Sequence, residues 1–164
     1  MNFATPPRQP GKSPLTAADA RAVADIARRL AEAEAAGAIR PLLKGKHLAL
    51  LCPDADCAAA ERFADAATAL GARVSRLDPE TLKATGEPQA RDALALLARL
   101  YDAVECDHVS DGLVDRLRRT AGLPVFDGIA DDDHPLMQLA VHGGVPDAAE
   151  RQRLVQALLV HRLA

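Results

Sequence analysis

"LLCPDADCAAAERFADAATALGARV", residues 50–74, holds the reading that decides the fold. Its first two leucines finish the apolar run "HLALLC" (47–52), which suits a strand covered on both faces. From about Asp56 to Leu70 the apolar positions return at helical spacing, with Phe63, Ala67 and Leu70 on one side, and Gly71 closes the helix. "ARVSRLD" (72–78) then reads as a second strand. Strand, helix and strand in so short a stretch imply a parallel pair with a right-handed crossover. Turns of this kind commonly seat a phosphate at the helix N-terminus. This turn has no Gly-rich loop, no Lys, no Arg and no hydroxyl, and it places Asp54 and Asp56 at the positive end of the helix dipole.

The alternation continues on both sides. "TAADARAVADIARRLAEAEAAG" (16–37) opens with Thr16 and Asp19 as a capping box, lines up Val23, Ile26 and Leu30, and ends at Gly37, which predicts a helix. Downstream, "QARDALALLARL" is a helix, "DAVEC" a third strand, "DGLVDRLRRTAG" a helix and "LPVFDG" a fourth strand. "DHPLMQLAVHGG" predicts a short helix opened by His134-Pro135 and ended by Gly143-Gly144. After Pro146, Asp147 and Glu150 cap a last helix whose stripe is Leu154, Val155, Leu158 and Leu159. The first 14 residues carry four prolines and few apolar side chains, so they are expected to form a disordered or extended arm.

A chain of 164 residues, 49% hydrophobic, suffices for one core and is short for two ordinary domains. The formal net charge of -3, with both signs interspersed, offers no electrostatic footprint for nucleic acid. No apolar run is long enough to span a bilayer and no secretory h-region opens the chain, so the expectation is a cytoplasmic protein with no membrane partner. Cys52, Cys57 and Cys106, an odd number without a secreted-protein spacing, read as reduced thiols.

Read in order, "RPLLKGKHLALL", Phe63 seven residues before Leu70-Gly71, "DPETLKATGE", "DAV" and "LPVFDGIADDDHPLMQLA" resemble the carbamoyl-phosphate-binding half of the aspartate and ornithine carbamoyltransferases, with the ornithine branch nearer. "DAAERQRLVQALLVHRL" is similar to the C-terminal helix that returns to the first domain in that family. Together the two matches imply that the amino-acid-binding domain is missing and that "HGGVP" joins what normally flanks it.

The resemblance also implies what has been lost. The family's turn after the first strand resembles Ser-Thr-Arg-Thr-Arg, and the matching positions here are Asp56, Cys57, Ala58, Ala59 and Ala60, so both arginines are alanine. A further family arginine after the third strand corresponds to Asp107. Within the family's His-Pro-x-Gln, His134 and Pro135 remain while Met137 replaces the glutamine, and Leu82 stands near the family's loop glutamine. Arg151 matches the arginine of the family's last helix. At about 1.5–3 kcal/mol per charge-assisted hydrogen bond, three lost arginines remove roughly 4.5–9 kcal/mol. That is on the order of three to six decades of affinity.

Each remaining feature has a plainer reading beside the functional one. Asp54 and Asp56 read as helix caps before cation ligands, Asp131, Asp132 and Asp133 as loop acids before a metal cluster, and His134 as a ring bonded to loop backbone before a carbonyl-polarising group. Cys52, Cys57, Cys106, His108 and His134 all fall near strand carboxyl ends, but Cys-x4-Cys and Cys-x-His are not established zinc spacings. Cys57 at a helix start could be reactive, although Asp56 opposes a lowered pKa. Arg99, Arg116, Arg118 and Arg119 read as solvated helix faces.

The expected architecture is α/β: a four-stranded parallel sheet with helices on both faces, plus a C-terminal helix at about 146–163 packed back on the domain, with residues 1–14 as an arm and 15–164 as the domain. The expected function is a degenerate, non-catalytic carbamoyltransferase-like binding, assembly or regulatory module. The alternatives are a subunit of an ornithine- or aspartate-type transferase that completes its site with a partner chain, and a small-molecule or metal sensor at the strand carboxyl ends. No catalytic residue, metal or cofactor is assigned, and His134, Pro135 and Arg151 remain as residual ligand-binding positions. The resemblance further implies a homo-oligomer, in the family a trimer, with a genuine carbamoyltransferase as a conceivable partner.

Overall fold

The structure, a computed structural model, describes residues 15–54, 57–82, 87–120, 122–140 and 144–164. The expected N-terminal arm, Asp56 and Gly143 lie outside the described residues.

The elements run α1 (Ala17–Ala35), β1 (His47–Leu51), α2 (Ala58–Ala69), β2 (Arg73–Leu77), α3 (Glu87–Leu100), β3 (Ala103–Cys106), α4 (Asp111–Thr120), β4 (Val125–Asp127) and α5 (Ala148–Leu163). The strands form one parallel sheet in the order β2-β1-β3-β4. Alternation along the two central strands builds two cores. Leu48 and Leu50 of β1 join Val23, Leu30, Phe63, Leu154 and Leu159 under α1, α2 and α5. Ala49 and Leu51, with Val104 and Cys106 of β3, pack against Leu94, Leu97, Val114 and Leu117 of α3 and α4. The uninterrupted apolar run of β1 therefore follows from being covered on both faces.

Local chemistry explains the ends. Thr16 accepts from the Asp19 N–H to open α1, and Asp147 accepts from the Glu150 N–H to open α5. Gly71 leaves α2 at φ +88, and a Cβ there would stand 2.9 Å from the Pro41 Cβ, so this turn needs glycine on both counts. The close approach exists because the "LLKGK" turn docks on the end of α2, with the Leu43 N–H donating to the Leu70 carbonyl and Leu43 fully buried.

One expectation is corrected and one further element is found. The segment after His134 is a short 3-10 helix, Pro135–Leu139, that stops at Ala140 rather than running to the glycines. A second 3-10 helix, Pro79–Leu82, buries Leu82 in the α3 and α4 core, an element the sequence pattern did not mark. The last helix behaves as expected: Leu154, Val155, Leu158 and Leu159 are buried, Arg153 pairs with Glu34 at 2.8 Å, His161 meets Asp19 at 2.8 Å, and Gln156 donates to the Ala66 carbonyl.

Candidate binding site at the sheet switch point

From β1 the chain crosses to β2 on one side, while β3 lies on the other, so the loops leaving β1 and β3 part and open a crevice above their carboxyl ends. Cys52 and Cys57 stand on one lip. Asp107 and His108 form the other, held by the Asp107 N–H donating to the Leu51 carbonyl at 2.9 Å. His108 adopts φ +54, the left-handed region, which turns the second lip sharply into the approach to α4.

The helix start differs from the sequence reading. α2 begins at Ala58 with Cys57 as its N-cap, and no side-chain cap hydrogen bond closes there. Asp54 is exposed, and its carbonyl accepts from the Cys52 thiol at 3.1 Å. Among the described residues, the carboxylate that meets the helix start is that of Asp107, whose Oδ2 accepts from the Cys57 thiol at 3.0 Å. Asp107 is 1% exposed, and its Oδ1 has no hydrogen-bond partner among the described residues. The His108 ring stands beside it, Nε2 at 3.8 Å from Oδ1.

Burial pushes the Cys57 thiol up to about 11, and the hydrogen bond to Asp107 adds to the rise, while the Ala60 and Ala59 N–H groups pull the other way. A reactive thiolate at Cys57 is thus opposed by Asp107; Asp56, which the sequence suggested for that part, lies outside the described residues. Cys106, grouped with the other cysteines on sequence grounds, is separate from the crevice: it is fully buried in the core under α3 and α4, and burial holds its thiol protonated.

Ala58 is exposed at the crevice, while Ala59 and Ala60 are buried against the core. His134 is buried and caps the short 3-10 helix, its Nδ1 accepting from the Leu136 N–H at 3.0 Å. Arg151 pairs with Asp132 at 3.1 Å, and Arg62, 3.6 Å from the same carboxylate, also donates to the Ala130 carbonyl. A cavity of about 180 Å³ beside these two arginines is lined by Met137 and Val155 as well. A larger cavity, about 360 Å³, lies at the β4 edge between Arg118, Phe126, His134 and Arg162. Arg118 lines it and is half-buried, not on an open face as the sequence suggested. Size alone would select that cavity; strand topology and the convergence of chemical groups select the crevice.

One residue escaped the sequence reading altogether. Glu105, in the middle of β3, is buried on the α1 side of the sheet, its Oε1 accepting from the Gly128 N–H at 2.6 Å and its Oε2 without a partner among the described residues. Desolvation holds its carboxyl well above the usual carboxylate range, with Asp107 and Asp127 adding repulsion against the Gly128 hydrogen bond. The signal was visible as an acid inside "DAVEC", a strand that both faces had to cover.

Residues 12–141 match the family described as aspartate/ornithine carbamoyltransferase, carbamoyl-P binding domain. The catabolic ornithine carbamoyltransferase of Burkholderia mallei (strain ATCC 23344) is 35% identical over 124 residues, covering 76% of this chain and 37% of that protein. Among solved structures, ornithine carbamoyltransferase from Pyrococcus furiosus superposes with a TM-score of 0.64 at 24% identity, over 79% of this chain and 43% of the other. The catalytic subunit of M. jannaschii aspartate transcarbamoylase gives 0.59 at 19% identity, over 80% and 45%. The chain thus spans less than half the length of the relatives it matches, and the structural likenesses speak for the fold. On the extent of that match, the chain belongs to the aspartate/ornithine carbamoyltransferase family, by way of its carbamoyl-phosphate-binding domain.

Proposed function

We propose that this chain is a non-catalytic member of the family, a binding, assembly or regulatory module whose carbamoyl phosphate site has been given up. The observation that carries the reading is the pairing of Cys57 with Asp107 at the start of α2. Where the family resemblance calls for hydroxyls and guanidiniums around a phosphate, this crevice presents a thiol, an exposed Ala58, a buried Ala60 and a buried carboxylate. An arginine at position 60 would have to displace core side chains, and a phosphate at the α2 N-terminus would meet Asp107 at hydrogen-bond range of Cys57. The remaining family-like groups are committed elsewhere, since His134 caps the 3-10 helix and Arg151 pairs with Asp132.

The domain organisation belongs to the same proposal. Only residues 140–147 separate the 3-10 helix from α5, so α5 would be the family's returning helix, joined directly to the first domain. Isothermal titration with carbamoyl phosphate tests the reading. The expected result is no saturable heat up to millimolar ligand, and tight micromolar binding by the isolated protein would overturn it.

A further inference from the structure

Metal-binding side chains from two loops converge at the crevice. The Cys52 Sγ, the Cys57 Sγ and a carboxylate oxygen of Asp107 all lie within 4.8 Å of one another. Asp107, His108 and Asp131 form a second group within the same limit, so Asp107 is common to both. The Cys57 Sγ is 3.0 Å from Asp107 Oδ2 and 4.0 Å from His108 Nδ1. Around a tetrahedral zinc with bonds of about 2.0–2.3 Å, ligand atoms stand roughly 3.3–3.8 Å apart. The two separations bracket that range; Cys52 and His108 fall in different groups that share Asp107, so a shared ion would draw the two side chains toward each other.

A second observation is independent of the clustering. Asp107 is 1% exposed, yet its Oδ1 has no hydrogen-bond partner among the described residues. A buried carboxylate oxygen left unsatisfied is costly, and such an atom calls for an explanation. Plain packing explains Cys106, which sits in the apolar core beneath α3 and α4. It does not explain a carboxylate driven between the β1 and β3 loops to meet a cysteine sulfur.

We infer that Cys52, Cys57, Asp107 and His108 form a binding site for a single zinc-type divalent cation, held across the loops that leave β1 and β3. The inference rests on the reading that this crevice no longer serves phosphate. The buried Asp107 carboxylate repels a phosphate at this place, and two thiols that give up their protons on binding would supply a dication with two further negative charges. Sulfur and imidazole donors select zinc over magnesium or calcium, which take oxygen ligands. Asp131 stands in the second group as a further oxygen donor. Binding releases the thiol protons of Cys52 and Cys57 to solvent as the two metal–sulfur bonds form.

The test uses the full chain, purified without a tag and stripped by a chelator. It is titrated with zinc chloride against a chromophoric competitor, and separately with cobalt(II). The expected result is one ion per chain at micromolar affinity or better, with a thiolate-to-cobalt charge-transfer band and tetrahedral cobalt absorption. Cys52→Ser, at a half-exposed position, should weaken zinc by at least about tenfold and roughly halve the charge-transfer band. Asp107→Asn should also weaken zinc, whereas Cys106→Ser should leave uptake and spectrum unchanged. Failure to take up zinc, a cobalt spectrum without thiolate character, or unchanged affinity in a folded Cys52→Ser protein would each overturn the inference. Carbamoyl phosphate titrated into the same stripped protein keeps the two ideas apart. Tight binding there defeats the non-catalytic reading, while absence of zinc binding defeats the metal site alone.

Discussion

Glu105 shows how one side chain can tie stability to pH in a domain otherwise built on alanine and leucine. Its ordinary pKa is 4.5, and burial between the sheet and the α1 side raises it well above that value in the fold. Above the ordinary value the unfolded chain loses this proton while the native chain keeps it, so the native state binds more protons and stability falls as pH rises through the window. The slope reaches at most about 1.4 kcal/mol per pH unit. Glu105→Gln keeps the acceptor for the Gly128 N–H and never ionises, so its melting temperature should decline less than that of the parent chain as pH rises above about 4.5. Thermal melts across that range check it; equal decline in both proteins would assign the pH dependence to another group. Glu105 and Asp107 also mark the limit of reading single residues from sequence. The change of Asp107 from an expected arginine was legible, but its burial was not, because burial depends on how the β1 and β3 loops pair.

At the level of elements, the sequence was most legible where periodicity and caps agreed. Thr16, Asp147 and Gly71 each mark an end that the structure keeps within a residue or two, and all four strands fall inside the stretches that alternation marked. The exceptions have a common cause. The 3-10 helices at Pro79 and Pro135 are single turns fixed by tertiary contacts, too short to show a repeat of their own. α2 starts at Ala58, two residues after the place where the aspartates suggested a cap, with Cys57 as its N-cap and Asp56 outside the described residues. α5 is the element whose removal should cost most, since Leu154, Val155, Leu158 and Leu159 complete the core above α1 and α2. Burial of each is worth roughly 1.5–3 kcal/mol, which together approaches the whole stability of a small domain. A chain truncated after Gly144 is expected to lose its cooperative melt or to aggregate, as followed by circular dichroism and light scattering. An unchanged melting temperature would mean that α5 is an appendage and would remove the basis for treating it as the family's returning helix.

For the whole molecule the open quantity is assembly. The family resemblance implies a threefold arrangement made mainly through this domain, around the carboxyl ends of the strands. In that arrangement the acids of the crevice from several chains would gather, and repulsion among them would oppose contact. The structure shows how much of that charge is already answered within one chain: Asp132 is met by both Arg62 and Arg151. Asp54 remains exposed beside the crevice, and Asp107 is buried within it. Repulsion among exposed acids such as Asp54 is of the kind that salt screens over about 8–10 Å. We accordingly predict a homo-oligomer at micromolar concentration that tightens as salt is raised. Association resting on the Arg62 and Arg151 ion pairs across chains would weaken instead. Multi-angle light scattering over a salt series decides between them, and a strictly monomeric species at every salt concentration would show that the crevice face has lost its inherited contacts together with its phosphate chemistry.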